Sequence, residues 1–92
     1  KEVRPGHFLI AANLPLDEIQ EATQVRFDLN ENINVDTLAG FLQHKLGRVP
    51  RKGNVWQNEN CKIKVLQMQG SRLITVLMEN TQMSQSMGEK TN

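Results

Sequence analysis

The sequence predicts an α+β fold in which two helices cover one face of a mostly antiparallel sheet. Two short helical patterns are each closed by recognisable end signals, and strand-like alternation of apolar and polar side chains flanks them. The last third of the chain is typical of a β-hairpin. A chain of 92 residues has room for one domain, and its elements are predicted in the order β-α-β-α-β-β-β.

The first half of the chain is predicted to hold a strand, a helix and a second strand. Residues 4 to 7 read Arg-Pro-Gly-His, which is typical of a type II turn because glycine supplies the positive φ at its third position. A strand over residues 7 to 11 follows. Pro15 suits the first turn of a helix that ends near Gln24. Residues 25 to 29 alternate apolar and charged side chains and are predicted to form a half-buried strand, followed by a loop over residues 30 to 34.

The second helix has one apolar stripe and a complete stop signal. Its stripe consists of Leu38, Phe41, Leu42 and Leu46. Asp36 or Thr37 is available to cap the first turn. Gly47 stands where helices commonly end in a left-handed residue, and Pro50 prevents the helix from resuming. Gly40 lies opposite the stripe, where glycine costs a helix up to ~1 kcal/mol relative to alanine. We therefore expect either another element of this domain or a partner to approach its backbone closely.

The second half of the chain contains a strand near Val55 and then the clearest hairpin. Strands over residues 61 to 68 and 73 to 79 are joined through Gly70 and Ser71 as a type II′ turn. The register pairs Val65 with Val76, Ile63 with Met78, Lys62 with Glu79 and Met68 with Leu73. The core face is predicted to consist of Ile63, Val65, Ile74, Val76 and Met78. The opposite face is more apolar than a solvated face needs. It is predicted to be an interaction surface made of Leu66, Met68, Leu73 and Leu77. Residues 80 to 92 read as a disordered tail, which leaves a domain over residues 1 to 79.

The totals exclude several classes of protein. Eleven Lys and Arg against 10 Asp and Glu give a net charge of +1, which argues against nucleic acid as a partner. A single cysteine cannot form an intrachain disulfide and favours a reducing compartment. No apolar run approaches the roughly 18 residues of a membrane-spanning helix.

No combination of residues predicts catalysis or a metal site. His7, His44 and Cys61 lack the close spacing of zinc ligand pairs. Residues 28 to 36 place oxygen-bearing side chains at alternate positions, as a calcium loop does. The sixth position is Ile33 and the twelfth is Ala39, where such a loop needs glycine and a bidentate glutamate. We predict that the chain is not an enzyme and holds no metal.

One basic cluster follows the second helix. Arg48, Arg51 and Lys52 could bind a phosphate group, since guanidinium groups hold phosphate through two parallel hydrogen bonds. Cations are also expected here for a structural reason, because the carboxyl end of a helix is the negative end of its dipole. The sequence leaves both interpretations open.

These patterns together resemble a known family. The most specific part is the sequence Thr-Leu-Ala-Gly at residues 37 to 40, followed by Leu-Gly-Arg-Val-Pro at residues 46 to 50 and by Gly53. Supporting matches are Leu-Pro-Leu-Asp-Glu at residues 14 to 18 and Arg-Leu-Ile at residues 72 to 74. Over residues 4 to 79 the chain resembles the CorC/HlyC-type transporter-associated domain, found at the carboxyl end of magnesium and cobalt efflux proteins and hemolysin-C-like membrane proteins.

The resemblance implies a non-catalytic regulatory and interaction module of a membrane ion transporter, on the cytoplasmic side of the cell membrane. Its implied partners are adjacent CBS domains and a membrane domain of the same chain, or a second copy of itself. The implied fold is similar to part of the FAD-binding (PCMH-type) architecture, and no cofactor is expected except by that analogy. The alternative is a small-molecule module that binds an adenine nucleotide or FAD through Arg48, Arg51 and Lys52.

Overall fold

The computed structural model describes residues 1–27 and 35–82. This part of the chain contains five strands and two helices. The strands are β1 (Glu2–Arg4), β2 (His7–Ala11), β3 (Val55–Gln57), β4 (Cys61–Gln69) and β5 (Arg72–Asn80), and the helices are α1 (Leu16–Thr23) and α2 (Leu38–Leu46). All strand pairs are antiparallel, in the spatial order β1-β2-β5-β4-β3. The predicted α+β class is confirmed.

The predicted hairpin forms the centre of the sheet. Val65 pairs with Val76, Ile63 with Met78 and Lys62 with Glu79, as the sequence predicted. Gln69 pairs with Arg72 across a two-residue turn in which Gly70 has φ +63°. A positive φ is inexpensive only for glycine, so Gly70 fixes the turn and the turn fixes the register.

Two parts of the amino-terminal half differ from the predicted strands. β1 was not predicted, and it joins β2 through the predicted turn, where Gly6 has φ +81°. Residues 25–27 form no strand. Their backbone groups bond instead to side chains of α1, because the N–H of Val25 donates to Thr23 Oγ1 at 3.2 Å and the N–H of Phe27 donates to Gln20 Oε1 at 2.7 Å. Residues 28 and 29 and the predicted loop over 30–34 lie outside the described residues.

Both helices end as predicted. The Thr37 side chain caps α2 by accepting a hydrogen bond from the N–H of Gly40 at 3.3 Å, and Gly47 closes it with φ +72°. Gln24 closes α1 in the same left-handed conformation, with φ +64°. The segments that precede the helices are bonded to each other, since the N–H of Leu16 donates to the carbonyl of Asp36. The two helix starts therefore lie side by side.

The core fills the space between the helices and one face of the sheet. Sheet residues in it include Phe8, Ile10, Ile63, Val65, Val76 and Met78, and helix residues include Leu16, Ile19, Leu38, Phe41 and Leu42. Phe41 contacts Phe27 and Trp56 edge to face, with ring centroids 5.0 and 5.3 Å apart. Trp56 thus contributes to packing. Neither described helix is long and apolar enough to cross a membrane.

The chain remains tied to the domain slightly beyond the predicted boundary at residue 79. Asn80 lies within β5, and the side chains of Thr81 and Gln82 donate hydrogen bonds to the carbonyl of Glu59. Residues 83–92 of the predicted tail lie outside the described residues, so the disorder of that segment stays a prediction.

Candidate functional site

The outer face of the sheet, which is the face turned away from the helices, carries a transverse row of mostly apolar side chains. Leu9 pairs with Leu77, Leu77 with Lys64, and Lys64 with Val55, so these four residues cross the sheet from β2 to β3. Leu9 is 37% exposed and Val55 is 43% exposed, whereas their neighbours along the strands include core residues. We call this set the outer row. It places apolar groups in solvent around a single lysine.

A parallel row of ionisable side chains borders the outer row. His7 pairs with Glu79 and Glu79 with Lys62 across neighbouring strands. His7 Nε2 lies 3.6 Å from Glu79 Oε1, and its Nδ1 is 3.1 Å from the carbonyl of Pro5. Opposite charges on adjacent strands stabilise a sheet modestly. They also give one edge of the outer row a defined pattern of charge.

The structure redistributes the four residues predicted as an interaction surface. Leu66 and Leu77 are half-buried. Met68 is also half-buried and packs against the core. Leu73 is 7% exposed and belongs to the core, so its assignment to the surface is corrected. The pairing is irregular on both sides of Gln67. Beyond this irregularity, the side chains at the turn end of the hairpin lie on the face opposite to the predicted one. The exposed Leu9 and Val55 were not predicted.

The predicted basic cluster lies in an ordered loop between α2 and β3. Asn54 organises it, because its Oδ1 accepts one hydrogen bond from Arg48 Nη1 at 3.2 Å and another from the N–H of Arg51 at 2.8 Å. Arg48 and Arg51 line an open depression that also borders the β4–β5 turn. Lys52 is exposed and does not line it. The structure therefore brings two of the three predicted residues together.

Metal-binding and nucleophilic arrangements are not found in the described parts of the chain. Residues 1–27 and 35–82 contain no group of three or more His, Cys, Asp or Glu side chains placed to hold a metal ion. Most of the segment that imitates a calcium loop lies outside these ranges. Cys61 is 1% exposed, and burial raises the pKa of its thiol to about 11. A thiol in this state is protonated near neutral pH, and it is therefore a poor nucleophile.

Comparison with known proteins points to one family. The family model of the transporter-associated domain, CorC_HlyC, matches residues 1–82. A UPF0053 protein of Synechocystis is 31% identical over 74 residues, which are 79% of this chain and 16% of that protein. A UPF0053 protein of Mycobacterium bovis is 41% identical over 46 residues, which are 50% of this chain and 10% of that protein. The chain thus spans less than a fifth of these curated relatives.

Solved structures agree with the family match. A CorC_HlyC domain from a Xylella fastidiosa hemolysin, solved in complex with Mg²⁺ and Mn²⁺, has a TM-score of 0.68 and 31% identity, with 82% of this chain and 87% of that chain covered. A hemolysin domain from Enterococcus faecalis has a TM-score of 0.74 and 26% identity, with 87% and 94% covered. The expected similarity to the FAD-binding architecture stays a prediction.

Proposed function

Because the chain belongs to the CorC/HlyC transporter-associated domain family, we propose that it is a non-catalytic interaction module of a membrane ion transporter. In this proposal it acts on the cytoplasmic side of the membrane and modulates transport by contacting neighbouring parts of the same polypeptide. The small share of the curated relatives that it spans supports a role as one part of a larger protein. The Xylella domain was solved in complex with Mg²⁺ and Mn²⁺, which supports a transporter whose ions are divalent cations.

The observation that carries the proposal is the outer row. Exposed apolar side chains that are grouped on one face are typical of contact surfaces. Leu9 and Val55 are among the most exposed large apolar side chains of the described residues, and Leu77 lies between them in the same row. A partner that covers this face would remove these groups from water and gain roughly 25 cal/mol for each Å² of apolar area.

We assign the covering partner to a neighbouring domain of the same polypeptide, such as a CBS domain. The outer row is centred on Lys64, and Lys62 stands beside it on the same face. Two copies of this face stacked about a twofold axis near the centre of the row would oppose lysine to lysine, which disfavours self-association. A partner surface with apolar groups around a carboxylate would complement the row.

Side-chain footprinting with hydroxyl radicals tests the proposal. The 92-residue chain is compared with the full-length protein that contains it. We expect Leu9 and Val55 to react in the isolated chain and to be protected in the full-length protein. Val49, which is 41% exposed but lies in the loop after α2, serves as the internal control. Equal reactivity of Leu9 and Val55 in both proteins would overturn the assignment.

A charge reversal sharpens the test without removing any packing. Lys64→Glu should restore the reactivity of Leu9 in the full-length protein and change ion transport, because the reversed charge opposes the partner's carboxylate. Lys52→Glu is the matched control, since it makes the same charge change at an exposed residue away from the sheet. Light scattering of the isolated chain tests the remaining possibility, which is that a second copy of the chain covers the outer row. A concentration-dependent dimer that protects Leu9 would assign the face to a second copy.

A further inference from the structure

A second surface, independent of the outer row, lies at the end of the sheet where β4 turns into β5. The loop after α2 and the β4–β5 turn border an open depression. Its lining residues are Arg48, Val49, Pro50, Arg51, Gly70 and Ser71. An adjoining depression shares Pro50 and Ser71 with it and continues past Arg72 to Gln43 on α2. We call the two together the basic groove.

The basic groove concentrates positive charge in a chain that is nearly neutral. Arg48, Arg51 and Arg72 line it, and no Asp or Glu side chain of the described residues does. The net charge of the whole chain is only +1. Three unopposed guanidinium groups around one groove create a local positive potential that attracts anions. Because the groove is open to solvent, dissolved ions screen this attraction, and it weakens as the ionic strength rises.

Two structural features prepare the groove for an anion. Asn54 holds both the guanidinium of Arg48 and the backbone N–H of Arg51, so it fixes the loop backbone and one of the two guanidinium groups. On the other side, the backbone N–H groups of Gly70 and Ser71 donate no hydrogen bond to another described residue. Free turn N–H groups and a serine hydroxyl are donors suited to phosphate oxygens.

We propose that the basic groove binds a soluble anion with two or more linked phosphate groups, of the class of pyrophosphate and nucleoside di- and triphosphates. Arg48 and Arg51 line one depression and Arg72 lines the adjoining one, an arrangement that suits two linked phosphates rather than one. Guanidinium groups bind each phosphate through paired, charge-assisted hydrogen bonds. This inference gives the predicted residues Arg48 and Arg51 a role, adds Arg72, and leaves Lys52 outside the groove.

Titration of the 92-residue chain followed by ¹H–¹⁵N NMR tests this site. Pyrophosphate, ATP and orthophosphate are added at low ionic strength. We expect pyrophosphate and ATP to shift the amide signals of Arg48, Val49 and Arg51 and of residues 70–72. Orthophosphate should bind roughly tenfold more weakly, as the loss of one charge-assisted contact predicts. Raising the salt concentration should weaken all three interactions.

Matched charge variants distinguish a site from general attraction. Arg51→Gln and Arg72→Gln should each weaken pyrophosphate binding about tenfold. Lys62→Gln removes the same charge from the opposite end of the hairpin and should change binding by less than about twofold, as expected of an exposed charge outside the site. Equal weakening by all three variants, or no shifts at millimolar pyrophosphate and ATP, would overturn the proposal. Binding to vesicles of anionic lipid without binding to the soluble phosphates would also overturn it.

Discussion

Two glycines of α2 show how far local chemistry constrains single residues. Gly47 adopts φ +72°, a conformation that other residues reach only at a cost of ~1 kcal/mol or more, and its role as a helix stop was predicted for that reason. Gly40 was expected to meet a close neighbour. Val35 and Thr37 do lie beside it, but a methyl group added to Gly40 would sit 3.6 Å from each, which is ordinary contact. The described surroundings of Gly40 therefore do not require glycine.

Cys61 lies in an environment that raises the pKa of its thiol. It begins β4, is 1% exposed, and contacts the core. Burial disfavours the thiolate and raises the thiol pKa from its ordinary value of 9.0 to about 11. The folded protein therefore keeps its proton over a pH range in which the unfolded chain loses it.

The pH dependence of stability follows from this difference. Below pH 9 the thiol is protonated in both states and contributes nothing to the dependence. Between about pH 9 and 11 the unfolded chain binds fewer protons, so the free energy of unfolding falls by up to ~1.4 kcal/mol per pH unit. Urea denaturation of the wild-type chain and of Cys61→Ala at several pH values isolates the contribution. Identical pH profiles of the two proteins would contradict it.

At the level of elements, local signals were sufficient for most of the secondary structure. Helix caps and glycine turns act within a few residues, so both helices, β2 and the hairpin register were predicted. The alternation over residues 25–27 is also real, since Val25 and Phe27 are buried and Arg26 is exposed. Their backbone nevertheless bonds to α1 side chains, and burial alternation alone cannot distinguish such a segment from a strand. β1 is too short to show a period.

The face assignment of the hairpin failed because of an irregularity that its turn does not reveal. Val65 pairs with Val76 and Met68 with Leu73, as predicted, yet the pairing between them passes through Gln67 and Thr75. Each strand thus contains one unpaired residue, Leu66 in β4 and Ile74 in β5. Because strand side chains alternate, one extra residue inverts the faces that follow. Leu73 therefore enters the core although its partner was predicted correctly.

We therefore predict that substituting two leucines of the same hairpin lowers the stability of the protein by different amounts. Leu73→Ala removes a core side chain and should lower the free energy of unfolding by about 2–4 kcal/mol. Leu66→Ala removes a half-buried side chain and should cost roughly half as much or less. Chemical denaturation of both variants measures the difference. A regular hairpin would place both leucines on the outer face, and the two substitutions would then cost similar, small amounts.

The candidate sites depended on contacts that only the complete fold creates. Arg48 and Arg51 were identified because they are close in sequence, whereas Arg72 reaches the same groove from the hairpin turn. The outer row draws single residues from four strands, and β3 and β2 lie on opposite sides of the central pair. No sequence period connects Leu9 with Val55. The one feature of the sequence that indicated the outer row was the excess of apolar residues on one face of the hairpin.

At the scale of the whole molecule, Asn80 closes the domain. It is 4% exposed, its Nδ2 donates to the carbonyl of Thr23 at 2.9 Å, and its N–H donates to the carbonyl of Gly6 at 2.7 Å. Next to it, the N–H of Thr81 donates to the carbonyl of Asn60. The last described residues therefore join the end of α1, the β1–β2 turn and the segment before β4. These regions are distant in sequence.

Two truncated chains distinguish the contribution of Asn80 to stability from that of the residues after position 82. A chain ending at residue 82 should match the 92-residue chain within about 0.5 kcal/mol, because it keeps every residue of the described core and its closing contacts. A chain ending at residue 79 loses the buried hydrogen bonds of Asn80 and leaves the carbonyl of Thr23 without that donor. Such losses cost about 1–3 kcal/mol each, so its unfolding midpoint should fall clearly. Asn80→Ala in the complete chain separates the side-chain contribution from the backbone contribution and should give an intermediate midpoint. If the chain ending at 79 proved as stable as the complete chain, Asn80 would be a strand end without a structural role, and the domain would be closed by its core alone.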